Sequence, residues 1–501
     1  MSGRLIRLLH PQYRIQQYLA IEVLGSPRRI LIVPPQARFP NANGGDGLEE
    51  ELPITKGRGH SPSLAALLSF LWPGLGQLYI RNRRAAALFA APAILVVLLL
   101  ATQLSHGVVV FAARLFADRS FGLVAVAILV LLGVLRLAAV VHAFLGGEGR
   151  RTRRILDRVV LVALAVVIVV SHLGSGYLLL AYSNAGGQVF SDPSKSSIID
   201  LTMPGSNLGP GQTSAPLPTP VIGSRVTILF TGISAGESLY DSIMVVSYDP
   251  KTNSIQMISV PRDTAGFPLY FGGVYSSKIN SLPRYVTTGV IRSPDSPYMT
   301  LVKEISYLVG IPINYYAAMY VDGFAQMIDT VGGIDVVNPN AIADNTYDWL
   351  DGSPPGFYLS VGSHHLDGRH ALAYVRSRHT VGDYDWGRSS RQQAVLVDLL
   401  HKMAQPSQLP NLPKLISTFA SSVATNFPGN QVADFVAAGQ SVPGGNIKQV
   451  VLGPPYSIPF SGNDPYYRYC LLNAKVAALS IDWFGQDSTW YGKPAPANTC
   501  P

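Results

Sequence analysis

The sequence predicts an α/β domain that follows a multi-span, helical membrane region. Three apolar runs, 85–104, 121–145 and 155–181, are each close to or longer than the roughly 20 residues that a helix needs to cross the hydrocarbon core. Beyond residue 221, short β-branched strands alternate with helical segments, which is typical of a layered α/β domain. A stretch rich in Ser, Pro and Gly, residues 183–221, predicts a flexible linker between the two parts.

Composition shifts divide the 501-residue chain into five predicted segments. These are a cytoplasmic N-terminal segment (1–60), a transmembrane region (61–182), the linker (183–221), a folded domain (222–460) and a C-terminal extension (461–501). The N-terminal segment alternates charged and apolar residues without a long apolar run, so we expect no signal peptide there.

The charge is concentrated in the front part of the chain. Up to Val221 there are 20 Lys and Arg against 10 Asp and Glu, and from Ile222 onward 18 against 20. The basic residues flank apolar runs, which favours a role in membrane orientation and predicts no nucleic-acid partner. Basic loops at 81–84 and 150–158 are expected inside the cell. Everything after Tyr182 is then extracytoplasmic, on a multi-pass protein of the cell membrane.

The first apolar run, 63–80, contains the helix-breaking residues Pro73 and Gly74. Two interpretations stay open for it. A re-entrant or interfacial segment leaves three full spans and an internal N-terminus, whereas a true span makes four and places the N-terminus outside. Parity with the two basic loops favours three spans.

Only two cysteines occur, Cys470 and Cys500. An extracytoplasmic location favours a disulfide between them over two free thiols, although the sequence does not give their separation.

The folded domain opens with three predicted strands, at 226–230, 242–247 and 255–260. Asp241 stands at the start of the second strand, and Arg262 and Asp263 follow the third. Charged residues at strand ends are placed where loops converge over a sheet edge, which is a usual position for a site. A surface hairpin capped by charges explains the same pattern, so both interpretations remain.

A second charged cluster lies at 366–403. Asp367 suits the N-cap of a short helix, after which an extended chain directs Arg376 and Arg378 to one face. A helix from about Ser389 places Gln392 four residues beyond Arg388, while Val395, Leu396 and Leu399 turn to the core. Converging guanidinium groups suit a phosphate or diphosphate. A solvated basic face, or internal pairing with Asp383 and Asp385, accounts for the cluster equally well.

The four blocks DSIMVVSYDPKTNSIQMISVPRDT, KIN, VDGFAQMIDTVGGIDV and DGRHALAYVRSRHTVGDYDWGRSSRQQ resemble, in order, the LytR-CpsA-Psr family of cell-wall glycopolymer ligases. The resemblance covers about residues 222–460. It implies a three-layer α/β/α extracytoplasmic domain behind the membrane region. It also implies a phosphotransferase that moves a glycan phosphate from a polyprenyl diphosphate carrier to peptidoglycan.

The resemblance further implies roles for single residues. Asp241 is similar to the ligand of Mg²⁺, and Asp385 to the base that accepts the proton of the acceptor hydroxyl. The residues implied to hold the diphosphate are Arg262, Arg376, Arg378, Arg388 and Gln392. The alternatives are a polyprenyl diphosphate hydrolase and a non-catalytic, lipid-binding regulator of envelope assembly.

One position departs from the family pattern. The family commonly carries Gly-x-Asp after the first strand, where this chain has Gly232, Ile233 and Ser234. A serine hydroxyl is a weaker ligand for a hard cation, so Glu237 or a water molecule would have to replace the carboxylate, or the metal affinity would be low. The prenyl tail also needs an apolar groove, which residues 315–328 with Val395 and Leu396 could line, unless they belong to the core.

Overall fold

The computed structural model describes most of the chain beyond residue 59. The described residues are 60–147, 154–190, 216–221, 223–233, 239–349, 351–378, 380, 385–403, 405–461, 464 and 466–500. The predictions for residues 1–59, for most of the linker, and for Ser234, Glu237 and Asp383 therefore lie outside the described residues.

The described residues before the linker form six helices, and three of them are long and apolar enough to cross a membrane. The three long helices are α3, α5 and α6. The six are α1 (Pro62–Leu71), α2 (Leu75–Tyr79), α3 (Arg83–Leu104), α4 (Val108–Ala117), α5 (Arg119–Leu145) and α6 (Arg154–Val189).

The first apolar run folds as α1 and α2, which are both too short to span a membrane. Gly74 separates them at a φ of 104°, a left-handed conformation that favours glycine. On α5, Arg136 donates from Nε to the carbonyl of Phe70 at 2.8 Å, and so satisfies a group at the end of α1. The helix break predicted at Pro73 and Gly74 is therefore present, between α1 and α2.

The domain beyond the linker is organised around a six-stranded mixed sheet in the order β11-β6-β1-β2-β3-β12. Strand β1 pairs antiparallel with β2 and parallel with β6. The strands are β1 (Val226–Ile233), β2 (Tyr240–Asp249), β3 (Ser254–Ser259), β4 (Phe267–Pro268), β5 (Val274–Tyr275), β6 (Tyr315–Tyr320), β7 (Ile334–Asn338), β8 (Ile342–Asp344), β9 (Phe357–Leu359), β10 (Gly362–Leu366), β11 (Val423–Thr425), β12 (Ile447–Val451), β13 (Ser457–Pro459) and β14 (Tyr469–Leu471).

Helices cover both faces of this sheet, so the predicted α/β/α arrangement of three layers is confirmed. Leu229 and Val245 pack on one face against α8, and Met244 and Met257 pack on the other face against α11. The helices are α7 (Leu282–Thr287), α8 (Pro297–Val309), α9 (Val321–Thr330), α10 (Gly368–Arg376), α11 (Asp385–Met403), α12 (Leu412–Ser422), α13 (Gly429–Ser441) and α14 (Asn473–Phe484).

Two predicted boundaries in the second charged cluster are corrected. Helix α11 begins at Asp385 and not near Ser389, because Asp385 pairs with Arg388 one turn later and its negative charge suits a helix start. Helix α10 continues to Arg376, so this residue ends a helix and does not lie in extended chain. Its N-cap is Asp367, as predicted, whose carboxylate accepts from the backbone N–H of His370 at 2.8 Å.

The last forty residues pack onto the sheet domain. Leu471, Val476 and Phe484 belong to the same buried cluster as the central strands. Cys470 and Cys500 form the disulfide that the sequence favoured, with their Cα atoms 5.9 Å apart.

Candidate functional site

A β-bulge positions the first acidic residue of the site. Gly232 of β1 pairs with Ser242 of β2, and Ile233 pairs with Tyr240, so Asp241 is the extra residue on β2. Bulges bend a strand and redirect a side chain, and they are frequent beside active sites. Here the bulge puts Asp241 on the wall of a large cleft.

Arg262 lies directly after β3 and forms an ion pair with Asp241. Its backbone N–H donates to the carboxylate of Asp385 at 3.1 Å. Burial disfavours the charge of this guanidinium, but the neighbouring carboxylates of Asp241, Asp263 and Asp385 together raise the pKa of Arg262. Arg262 therefore stays charged in a partly buried position, joining the ends of β2 and β3 to α11.

The facing wall comes from α10 and α11. Arg376 and Arg378 line the cleft from the end of α10, and Arg388 and Gln392 line it from α11. Gln392 donates from Nε2 to the carbonyl of Val375 at 3.2 Å, so part of its hydrogen-bonding capacity holds the two helices together. One wall thus carries Asp241 at the start of β2 and Arg262 beyond β3, and the other carries three arginines.

The cleft between these walls has a volume of about 1270 Å³. It brings together six of the seven predicted site residues, and these are Asp241, Arg262, Arg376, Arg378, Arg388 and Gln392. The seventh, Asp385, is buried behind them and does not line the cleft. Arg388 pairs with its carboxylate. Burial raises the pKa of Asp385, and this effect outweighs the nearby arginines.

Several buried nitrogen atoms around the cleft lack a hydrogen-bond acceptor among the described residues. They are Nε of Arg262, Nη1 of Arg376 and Nε of Arg388. A buried donor without an acceptor costs about 1–3 kcal/mol, and more when the group is charged. An anion with several oxygens in the cleft would supply the missing acceptors, which favours the anion-site interpretation of the cluster over a solvated basic face.

Comparison with known proteins identifies the family of the chain. The profile of the LytR_cpsA_psr family matches residues 222–470. Through these residues the chain belongs to the LytR-CpsA-Psr family. The match extends past residue 460, the predicted end of the folded domain.

Curated relatives in the family carry names that describe a transferase. Polyisoprenyl-teichoic acid–peptidoglycan teichoic acid transferase TagU of Bacillus anthracis is 33% identical over 194 residues, which are 39% of this chain and 57% of TagU. TagV of Bacillus subtilis carries the same transferase name. It is 30% identical over 279 residues, which are 55% of this chain and 64% of TagV. The chain therefore spans less than two thirds of these relatives. The crystal structure of B. subtilis TagV has 25% identity and a TM-score of 0.43, covering 54% of this chain and 98% of that one.

The carboxylates in the cleft bear on the Mg²⁺ site expected for the family. Within the described parts of the chain, no group of three or more His, Cys, Asp or Glu side chains is arranged to hold a metal ion. Mg²⁺ accepts one or two protein carboxylates when phosphates supply further oxygens. Asp241 and Asp263 both line the cleft, on either side of Arg262. These residues fit an ion that is held largely by its substrate.

An apolar cavity of about 320 Å³ lies under the sheet face that α11 and α13 cover. Leu396 lines it, as the sequence suggested, but Val395 does not and is buried in the core. Residues 315–328 do not line this cavity, and the alternative that they belong to the core is supported for Tyr316 and Ile328. Tyr316 and Ile328 are buried in core clusters, because β6 is a central strand and α9 packs against α10.

Some residues that hold the cleft arginines in place were not predicted from the sequence. Arg391 donates to the carbonyls of Tyr374 and Ser377 at 2.7 and 2.6 Å, and so fixes the end of α10 that carries Arg376. Asp344 accepts from the backbone N–H of Arg378 at 3.0 Å. A basic residue often caps the C-terminus of its own helix. Arg391 lies on α11 but caps α10, so residue spacing within one helix does not predict this contact.

Aromatic side chains also line the cleft. Tyr285, Tyr347 and Tyr466 line it together with Arg284. Tyrosines combine a flat apolar face with a hydroxyl group, which suits contact with a sugar ring.

Proposed function

We propose that this protein transfers a glycan phosphate from a polyprenyl diphosphate carrier to peptidoglycan, and so attaches an anionic glycopolymer or capsule-like polysaccharide to the cell wall. The observation that carries the proposal is the set of buried guanidinium nitrogens around the cleft without acceptors, in Arg262, Arg376 and Arg388. Family membership and the names of the relatives agree with it.

In this proposal the arginines bind the diphosphate and neutralise its charge. The oxygen of an acceptor hydroxyl attacks the phosphorus next to the glycan and forms a new phosphoester bond. The bond from that phosphorus to the bridging oxygen breaks, and polyprenyl phosphate leaves. Phosphoryl transfer of this kind is catalysed mainly by positioning and by electrostatic stabilisation, which fixed arginines can supply.

Asp385 is the residue that we propose accepts the hydroxyl proton. Its raised pKa suits a base better than that of an ordinary carboxylate. It now faces Arg388 and the backbone of Arg262. A diphosphate that draws Arg388 toward its own oxygens would weaken the ion pair and release the carboxylate for this role.

We further propose that Mg²⁺ is the cofactor, held by Asp241 with Asp263 nearby. When bound, the ion would neutralise charge on the diphosphate oxygens. Arg262 already pairs with Asp241, and Lys278 pairs with Asp263 at 2.6 Å, so these two cations would have to share the carboxylates with the ion.

We also propose a multi-pass location in the cell membrane, with residues after α6 outside the cytoplasm. The basic residues at 81–84 and 150–158 support this orientation. The carrier lipid and the wall would then meet the cleft on the same side of the membrane.

The test is an assay of the full chain in lipid nanodiscs with a glycan-linked polyprenyl diphosphate, peptidoglycan oligomers and Mg²⁺. We expect glycan to become linked to peptidoglycan through a phosphodiester. Release of free sugar phosphate without linkage would indicate a hydrolase. Bound but unaltered lipid would indicate a non-catalytic protein, and omission of Mg²⁺ tests the cofactor.

A further inference from the structure

One wall of the apolar cavity is built by the membrane region. Val109, Ala113 and Phe116 of α4 line the cavity, at i, i+4 and i+7 on one face of the helix. Phe190, directly after α6, lines it too. The opposite wall comes from the sheet domain, including Phe230, Met257 and Leu396, so the cavity lies between the two parts of the chain.

The contact between these two parts is close. The ring of Phe190 stacks on that of Phe419 in α12, with centroids 5.9 Å apart. At Gly429, the first residue of α13, a Cβ atom would lie 1.9 Å from the carbonyl oxygen of Ala117, so only glycine allows this approach. The hydroxyl of Tyr182 in α6 donates to the carbonyl of Ala112 at 3.0 Å, which fixes α4 to α6.

The order and lengths of the helices indicate where α4 lies relative to the membrane. It joins α3 to α5, two helices that are long enough to cross a membrane, so it lies at the membrane surface. Helix α6 has 36 residues and is about 54 Å long at 1.5 Å per residue, well beyond the roughly 30 Å hydrocarbon core. Its last turns therefore extend out of the membrane to the sheet domain.

Helix α11 contributes residues to both the cleft and the cavity. Gln392 lines the cleft, and Leu396 and Leu400 line the cavity. These residues are four apart and follow one face of the helix. The prenyl chain of a diphosphate held beside Gln392 could follow this helix past Leu396 and Leu400 toward α4.

We propose that α4 and the outer end of α6 form the entrance through which the polyprenyl chain of the donor passes from the bilayer into the cavity. The membrane region is then part of the lipid-binding site as well as an anchor. The cavity is at the lower end of the 300–1,000 Å³ range of small-molecule sites, so it holds only a few isoprene units. The rest of the chain lies beyond α4, in the bilayer. This inference rests on the proposed transfer function.

The test compares two tryptophan variants of the full chain in nanodiscs. Ala113→Trp places a large ring in the entrance, and Val108→Trp is the matched control on the same helix, at an exposed position that does not line the cavity. With a long-chain donor, we expect Ala113→Trp to raise KM about tenfold or more with little change in kcat. With a short-chain prenyl donor, which need not occupy the entrance, the two variants should be alike. Equal KM values for the long-chain donor in both variants would overturn the proposal.

A binding experiment separates this proposal from the transfer function. A photo-reactive phenylalanine analogue at position 113 should crosslink to a labelled polyprenyl diphosphate, and the crosslink should be lost when Arg376→Ala removes the head-group contact. The same analogue at position 108 gives the background from lipid in the bilayer. A crosslink at 113 without any transfer by the wild-type chain would support the entrance and reject the transferase. A yield at 113 no higher than the background would reject the entrance.

Discussion

The guanidinium of Arg262 and the carboxylate of Asp241 form an ion pair at the base of the cleft. The two residues are 21 positions apart in the sequence. They meet because β2 and β3 are antiparallel neighbours, so the start of β2 lies beside the end of β3. Asp241 can therefore hold Arg262 in place before an anion arrives. Preorganised charges of this kind are the main source of stabilisation in phosphoryl transfer.

Removing the guanidinium group of either Arg376 or Arg378 should abolish most of the activity. For Arg376→Ala or Arg378→Ala we expect kcat to fall by about 100- to 1,000-fold, as for other preorganised donors, with the fold intact. The transfer assay and the melting temperature measure the two effects. Arg369→Ala is the matched control, since Arg369 lies on the same helix but is exposed and outside the cleft. Near-full activity of both cleft variants would contradict the site assignment.

The pH dependence of the reaction should report Asp385. Because burial raises its pKa, the carboxylate takes up a proton at a higher pH than an ordinary Asp does. As the pH falls through that raised pKa, Asp385 becomes protonated and no longer acts as a base. The kcat/KM of the wild type should therefore fall on the acid side, at a higher pH than an ordinary Asp would give. Asp385→Asn should be poorly active at all pH values and lack this acid limb.

A helix-matched control distinguishes the base from a positioning residue. Asp398 also lies on α11 and accepts from the backbone N–H of Asp335, outside the cleft, so Asp398→Asn should keep the wild-type pH profile. An Asp385→Asn variant that retained the acid limb would show that another group titrates.

Glu304 should make the sheet domain less stable as the pH rises. Its side chain is fully buried on α8, and burial raises its pKa from 4.5 to about 8. Between these values the unfolded chain is ionised while the folded chain keeps its proton. The free energy of unfolding should therefore fall by about 1.4 kcal/mol per pH unit across this window. Above pH 8 this contribution levels off.

Denaturant unfolding of Glu304→Gln measures this effect. The variant keeps an acceptor for the backbone N–H of Tyr270 and cannot ionise. We expect it to match the wild type near pH 4.5 and to be more stable at pH 8. Asp482→Asn, at an exposed carboxylate on α14, should leave the slope unchanged. A wild-type slope in Glu304→Gln would contradict the assignment.

The disulfide should stabilise the domain that carries the site. It closes a loop with a sequence separation of 30 residues, for which the loss of loop-closure entropy in the unfolded chain corresponds to about 3.6 kcal/mol. It also joins Cys500 to β14, where the backbone N–H of Tyr469 donates to the carbonyl of Asp263, the residue after Arg262, at 3.0 Å. We expect the double variant Cys470→Ser, Cys500→Ser to have a lower melting temperature. Reductant should lower that of the wild type and leave the variant unchanged; equal melting temperatures would count against a stabilising bridge.

A topology reporter tests the proposed orientation. A fusion after Tyr182 should score as extracytoplasmic, and a fusion after Gly147, between α5 and α6, should score as cytoplasmic. The reason is the retention of Arg-rich loops inside the cell. A cytoplasmic score after Tyr182 would defeat both the orientation and the proposed access to peptidoglycan.

The sequence by itself determined most of the strands and long helices, and it identified candidate residues for the site. Strands such as β1 and β2, and the α/β order of the domain, follow from local periodicity, which depends only on neighbouring residues. The placement of Asp241 and Arg262 at strand ends, and of Arg376 and Arg378 in a second charged cluster, indicated candidate anion contacts but left a solvated basic face open. The resemblance to the LytR-CpsA-Psr family joined the two clusters into one expected site. The three long apolar helices were likewise predictable, because spanning a membrane requires only length and apolarity.

Only the tertiary structure decided how these residues face one another. It put Asp385 behind Arg262 and Arg388, used Arg391 to fix the end of α10, and made α4 a wall of the apolar cavity. Each of these relationships joins elements far apart in the chain. Their geometry depends on sheet register, on the bulge at Asp241 and on close helix packing such as that at Gly429, and none of these leaves a periodic pattern in the sequence.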